Sequence, residues 1–186
     1  MIRRLRVPAA RFRPQLIPLL FFFVVAGSAF AQSSGESKEK EPAPRFNATT
    51  TTGEKFNNAS LKGKVVLLEF WTTWCTYCEY ERPFVERLNE DFGNKGLVIL
   101  AVNVGEGKKT VKKYMEEHPR KTRIVLTENT NLAAMYAAKS YPIYVVLDRE
   151  GNVAGKQDGA AGESALRNLV ATAGLEGVNE DADNSK

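Results

Sequence analysis

Cysteine is scarce in this chain: its 186 residues hold two, Cys75 and Cys78, and histidine occurs once, at His118. A structural zinc site takes four ligands, so two thiols and one imidazole 40 residues further on do not supply a metal centre. Haem attachment through a CxxCH motif fails at its last position, because Glu79 stands where the histidine belongs. No apolar run reaches the roughly 20 residues that span a bilayer; the stretch LIPLLFFFVVAGSAF covers residues 16–30 only.

Acidic residues are missing from the first 31 positions, which carry Arg3, Arg4, Arg6, Arg11 and Arg13 ahead of that apolar run and Ala29-Phe30-Ala31 behind it. Basic, apolar, then small-x-small is the order of a secretory leader. Residues 1–31 are therefore expected to be a signal peptide cleaved after Ala31, with a membrane anchor over 16–31 as the alternative. No cysteine follows the run, so lipid attachment there is not expected. Without the leader's arginines, 21 basic residues face 22 acidic ones, and the basic excess of the whole chain disappears. So neutral a chain lacks the basic face that contacts with phosphates need, and nucleic acid is not an expected partner.

QSSGESKEKEPAP, 32–44, is polar and proline-punctuated and reads as a disordered linker. Residues 176–186 read as a disordered acidic tail. The folded unit is expected between them, at 45–175, as one domain with no internal repeat. VVLLEFW (65–71) and LVILAVNV (97–104) are almost continuously apolar, as in strands covered on both faces. A helix with Phe84, Val85, Leu88 and Phe92 on one stripe lies between them, giving a parallel crossover. A helix over KKTVKKYMEEH turns Val111, Tyr114 and Met115 inward and its lysines outward. A strand RIVL (123–126) follows, then a short helix around NLAAMYAA and a hairpin of PIYVVLD and VAGKQ. The closing helix has Leu166, Leu169 and Val170 as its stripe and Gly174 at its stop. FNATTTTGEKF adds an N-terminal hairpin turning at Thr52-Gly53. The fold class is α/β, a central mixed sheet flanked by helices.

Cys75 falls where the first long strand hands over to the first helix, so unpaired backbone N–H groups and the positive helix end point at its sulfur. A thiolate is stabilised there. Cys78, one turn on, can attack a mixed disulfide held on Cys75, which is the geometry of reversible disulfide exchange. A purely structural disulfide across so short a loop would constrain the unfolded chain little. Copper(I) delivery by the two soft thiolates is a competing reading, although no nearby Met or His completes such a site. A peroxiredoxin-like peroxidase could use Thr72 three residues before Cys75, but Leu68 stands where its upstream proline would be.

WTTWCTYCEYERP, preceded by GKVVLLEFW and followed by Pro142 at a strand start, resembles the thioredoxin superfamily, and within it the exported TlpA/ResA-like thiol-disulfide oxidoreductases. The resemblance spans nearly all of 45–175 and implies a thioredoxin-like fold. It implies that Cys75 attacks, that Cys78 resolves, and that Pro142 is a cis-proline facing the dithiol where a substrate backbone docks. Trp74, Thr76, Tyr77 and Tyr141 then line the substrate surface. Two positions depart from the family pattern. Tyr77 replaces the proline common before the second cysteine, and Tyr141 replaces a small or aliphatic residue before the cis-proline, narrowing the groove.

Glu69 interrupts an apolar strand, where an ionised carboxylate is costly. It is either a proton acceptor for the resolving cysteine, as the resemblance implies, or a strand-end glutamate reaching solvent. Glu81 lies on the inward stripe below Cys78, where the related reductases carry an active-site glutamate. Pro83 sits inside the same helix and is expected to kink it. Dithiols of this class span about −270 to −120 mV, so the motif fixes the reaction without its direction. An oxidising exterior already forms disulfides, and a dedicated reductant, recharged by a membrane thiol donor, is the favoured role. Its expected clients are proteins with disulfides or thiols, of the cytochrome c or copper-site maturation type. The expected protein is periplasmic or in the cell envelope, monomeric, and needs no cofactor.

Overall fold

The computed structural model describes residues 40–178; the expected leader and most of the expected linker and tail lie outside them. Seven strands form one sheet: β1 (Asn47–Thr50), β2 (Lys55–Asn57), β3 (Val65–Trp71), β4 (Leu97–Asn103), β5 (Arg123–Thr130), β6 (Ile143–Leu147) and β7 (Val153–Asp158). Four helices accompany them: α1 (Thr76–Phe92), α2 (Lys108–Glu117), α3 (Leu132–Met135) and α4 (Glu163–Ala171). The strand order is β2-β1-β5-β4-β3-β6-β7. β3, β4 and β5 run parallel, and β6, β7 and the β1–β2 hairpin add antiparallel margins.

The all-apolar strands sit in the middle because both of their faces are covered. Val65, Leu67, Ile99, Tyr144 and Val146 point to one face and meet Val85, Leu88 and Phe92 of α1 and Leu166 and Val170 of α4. Further along that face, Trp71, Ala101, Ile124 and Leu126 meet Val111 of α2 and both cysteines. Val66, Leu68, Leu100, Val102 and Val145 fill the opposite face with Leu132 of α3 and with Ala43, Phe46 and Leu61 from the N-terminal segment. Helices thus lie on both sides, three against one.

The packed unit reaches beyond the bounds expected from composition. Lys40 pairs with Asp148 at 2.9 Å, the Ala43 amide donates to the Gly151 carbonyl at 3.0 Å, and the Val153 amide donates to the Glu41 carbonyl at 2.8 Å. A polar, proline-bearing stretch is held here by backbone bonds to a hairpin turn, which composition does not encode. Val178, within the expected tail, is buried against the α1–α4 layer. β5 also runs four residues past RIVL, because polar TENT completes the pairing with β1. α1 continues through Pro83 as one helix.

Candidate active site

Strand β3 ends at Trp71, and Thr72, Thr73 and Trp74 carry the chain into α1 with Cys75 as its N-cap. The Cys78 amide, one of the donors that a helix start leaves unpaired, donates to Cys75 Sγ at 3.1 Å. The two sulfurs are bonded, with Cα atoms 5.2 Å apart. Cys75 is the more accessible, 7% exposed against 3% for Cys78. The Tyr141–Pro142 peptide is cis and Pro142 is buried. Tyr141 meets Trp74 edge-on, ring centroids 5.9 Å apart, and its hydroxyl donates to the Ala138 carbonyl at 3.1 Å.

Around the disulfide the surface is aromatic. Trp74, Tyr77 and Tyr80 are 70%, 68% and 62% exposed, large values for such side chains. Tyr77 and Tyr80 line a shallow groove of about 530 Å³ with Thr76, Ala160, Ala161 and Gly162.

The loop ahead of Cys75 is fastened by a residue that the sequence did not single out. Glu106, between β4 and α2, accepts the Thr73 amide at 2.7 Å, the Thr73 hydroxyl at 2.5 Å and the Asn103 side-chain amide at 2.7 Å. Glu81 is fully buried below Cys78, and its Oε1 accepts the Ala161 and Gly162 amides at 2.7 and 2.6 Å. It thereby ties α1 to the loop that leads into α4.

Glu69 does not reach solvent, so that alternative is overturned: it is fully buried, and Arg120 donates to its Oε2 at 2.6 Å. Arg120, from the α2–β5 loop, has a side chain only 1% exposed, which lies 4.9 Å above the Trp71 ring and approaches Glu86 at 3.5 Å. Burial pushes the Glu69 carboxyl above its usual range, with the Arg120 guanidinium opposing. A glutamate in an apolar strand signals the need for a counter-charge without saying which residue supplies it.

His118, distant from the dithiol in sequence, also belongs to the neighbourhood. It stacks on Tyr114 at 4.3 Å and contacts Glu79 Oε1 at 3.1 Å, immediately after Cys78 in the chain. Arg82 donates to the same carboxylate at 2.9 Å and Tyr114 donates to its other oxygen. Burial would raise Glu79, but these donors and charges bring it down to about 2. Burial and the Glu79 contact together push the Tyr114 hydroxyl up.

The Redoxin family profile matches residues 38–171. Thiol-disulfide oxidoreductase ResA of Bacillus cereus is 31% identical over 146 residues, which cover 76% of this chain and 84% of that protein. ResA of Bacillus subtilis is 31% identical over 148 residues, 80% of this chain and 82% of that one. Among solved structures, a thiol:disulfide interchange protein of the thioredoxin family from Chlorobium tepidum matches with a TM-score of 0.63 at 27% identity, over 72% of this chain and 96% of its own.

Proposed function

Because the chain belongs to the Redoxin family and is a thiol-disulfide oxidoreductase of the ResA type, we propose that it is exported and reduces client disulfides, with Cys75 attacking and Cys78 resolving. The observation that carries this reading is the position of Cys75 as the N-cap of α1, its sulfur receiving the Cys78 amide. In the reduced protein the same amide and the helix end favour the thiolate, and the thiolate is the nucleophile.

The exchange runs in two displacements. Cys75 thiolate attacks one client sulfur, the client S–S bond breaks, and the other client sulfur leaves as a thiolate that takes up a proton. Cys78, deprotonated, then attacks Cys75 Sγ, forming the Cys75–Cys78 bond and releasing the second client thiolate. Two electrons have passed from the dithiol to the client. A membrane thiol donor returns them by the reverse route.

Glu81 and Glu69, buried on the dithiol's side of the sheet, are the groups that support deprotonation of Cys78 in this reading. Pro142 and Tyr141 form one wall of the docking surface and Trp74, Thr76 and Tyr77 the other. Clients of the cytochrome c or copper-site maturation kind present an extended cysteine-bearing segment, which an exposed aromatic rim suits. The leader sequence supports export.

The test is a Cys78→Ser trap in the source cell envelope. A mixed disulfide on Cys75, released by thiol and missing from Cys75→Ser, is expected. Absence of any thiol-reversible adduct would overturn exchange catalysis.

A further inference from the structure

Helix α2 is charged against its own dipole. Its sequence KKTVKKYMEE places Lys108, Lys109, Lys112 and Lys113 in the first part and Glu116 and Glu117 at the end. A helix start carries partial positive charge and its end partial negative charge, so both groups stand at the unfavourable pole. Lys108 and Lys112, like Lys109 and Lys113, are four apart and repel each other along one face. Gly107 caps the helix without a side-chain hydrogen bond, and the first turn holds no acid. All four lysines are exposed, and none has an ion-pair partner among the described residues. Natural sequences break such local rules chiefly at functional or strained sites.

The lysines are also held beside the dithiol. Glu106, two positions ahead of Lys108, accepts the amide and hydroxyl of Thr73, two positions ahead of Cys75. Val111, between the lysine pairs, is buried in one cluster with Cys75 and Cys78. Thr73, Lys109, Thr110, Lys113, Tyr114 and Glu117 line a shallow groove of about 380 Å³. The positive end of α2 is therefore continuous with the loop that presents the attacking cysteine.

We propose that Lys108, Lys109, Lys112 and Lys113 form a docking edge that selects clients whose cysteine-bearing segment carries carboxylates. This deepens the reductant reading and rests on it: the exchange runs as described, and the edge sets which disulfides reach Cys75 fastest. Exposed charges beside a docking surface act on encounter, speeding the approach of opposite charge, and salt screens them. An anionic membrane surface is the other partner that lysines suit, but a helix lying on lipid also inserts an apolar face. On α2 that face is turned inward, with Val111 buried and Tyr114 and Met115 packed against the cluster that holds the cysteines. The large exposed apolar side chains among the described residues, Trp74, Tyr77, Tyr80 and Met135, all lie off α2. A protein segment is thus the occupant that the edge fits.

The test follows single-turnover reduction of two synthetic peptides by the reduced protein. Each peptide carries one Cys-x-x-Cys disulfide, flanked by glutamates in one and by glutamines in the other. Two electrons pass from the dithiol to the peptide disulfide, so no further reductant enters. The rate ratio, glutamate peptide over glutamine peptide, is compared between wild type and the combined variant Lys108→Gln, Lys109→Gln, Lys112→Gln and Lys113→Gln. That comparison cancels differences in peptide reactivity and any change in Cys75 reactivity. At low salt the ratio should be about 10-fold higher in wild type, and the two proteins should converge by about 1 M salt. Arginine at the same four positions should keep the wild-type ratio. The glutamine variant should unfold at a denaturant midpoint no lower than that of wild type, because opposed charges have been removed; a lower midpoint would remove the premise that α2 is charged against itself. Equal ratios in wild type and the glutamine variant at low salt would overturn the proposal. Wild-type binding to phosphatidylglycerol vesicles that the glutamine variant loses, with equal peptide ratios, would assign the lysines to a membrane surface and overturn it likewise. Failure of wild type to reduce either peptide would instead overturn the reductant reading beneath it.

Discussion

At the scale of single residues, the site's charges do not act alike. Glu79 is held at about 2 against burial, by Arg82, Tyr114 and His118. A folded pKa below the ordinary value of 4.5 means that its contribution to stability is complete above about pH 4.5 and is lost as pH falls towards about 2. Glu79→Gln should therefore be less stable than wild type at pH 6, with a gap that closes between those limits in denaturant titrations; a gap independent of pH would contradict this. Arg120 works differently, inside the protein. Arg120→Met leaves Glu69 buried and unpaired and should cost about 3–5 kcal/mol, whereas Glu69→Leu with Arg120→Met should recover most of it. Denaturant unfolding checks both, and an additive double variant would mean that the pair is not coupled. Cys75, Cys78 and the inward phase of Glu81 were legible because strand, helix and spacing are local. Arg120 and His118 were not, since the path of the α2–β5 connection sets which residue meets Glu69, 51 positions away.

Among the elements, β3 and β4 announced themselves as unbroken apolar runs, and the inward stripe of α1 followed from its period. The second half of β5 did not, because polar TENT owes its strand form to β1 and to no pattern of its own. Lys40–Pro44 escaped for the same reason, being held by bonds to residues 148–153 that composition cannot show. The β7–α4 contact gives a quantitative check on packing. A methyl group at Gly155 would stand 2.9 Å from Leu169 Cδ1 and 3.2 Å from Thr172 Oγ1. Gly155→Ala should destabilise by about 1–3 kcal/mol through overpacking in the same unfolding assay. An unchanged midpoint would show that α4 yields freely.

Across the whole molecule, the placement of three helices on one face explains why the chemistry gathers there. β3 supplies Glu69 and Trp71, α1 supplies both cysteines and Glu81, and the α2–β5 loop supplies Arg120. The parallel crossover from β3 through α1 to β4 puts a helix start beside the inner strands of the sheet, with the Cys78 amide facing Cys75 Sγ. The most direct measurement is the pH dependence of Cys75 alkylation in the reduced protein, read by mass spectrometry with Cys78→Ser as the single-thiol reference. The thiol should ionise well below the value of about 8.5 of a free cysteine. Ionisation at the free value would contradict the account.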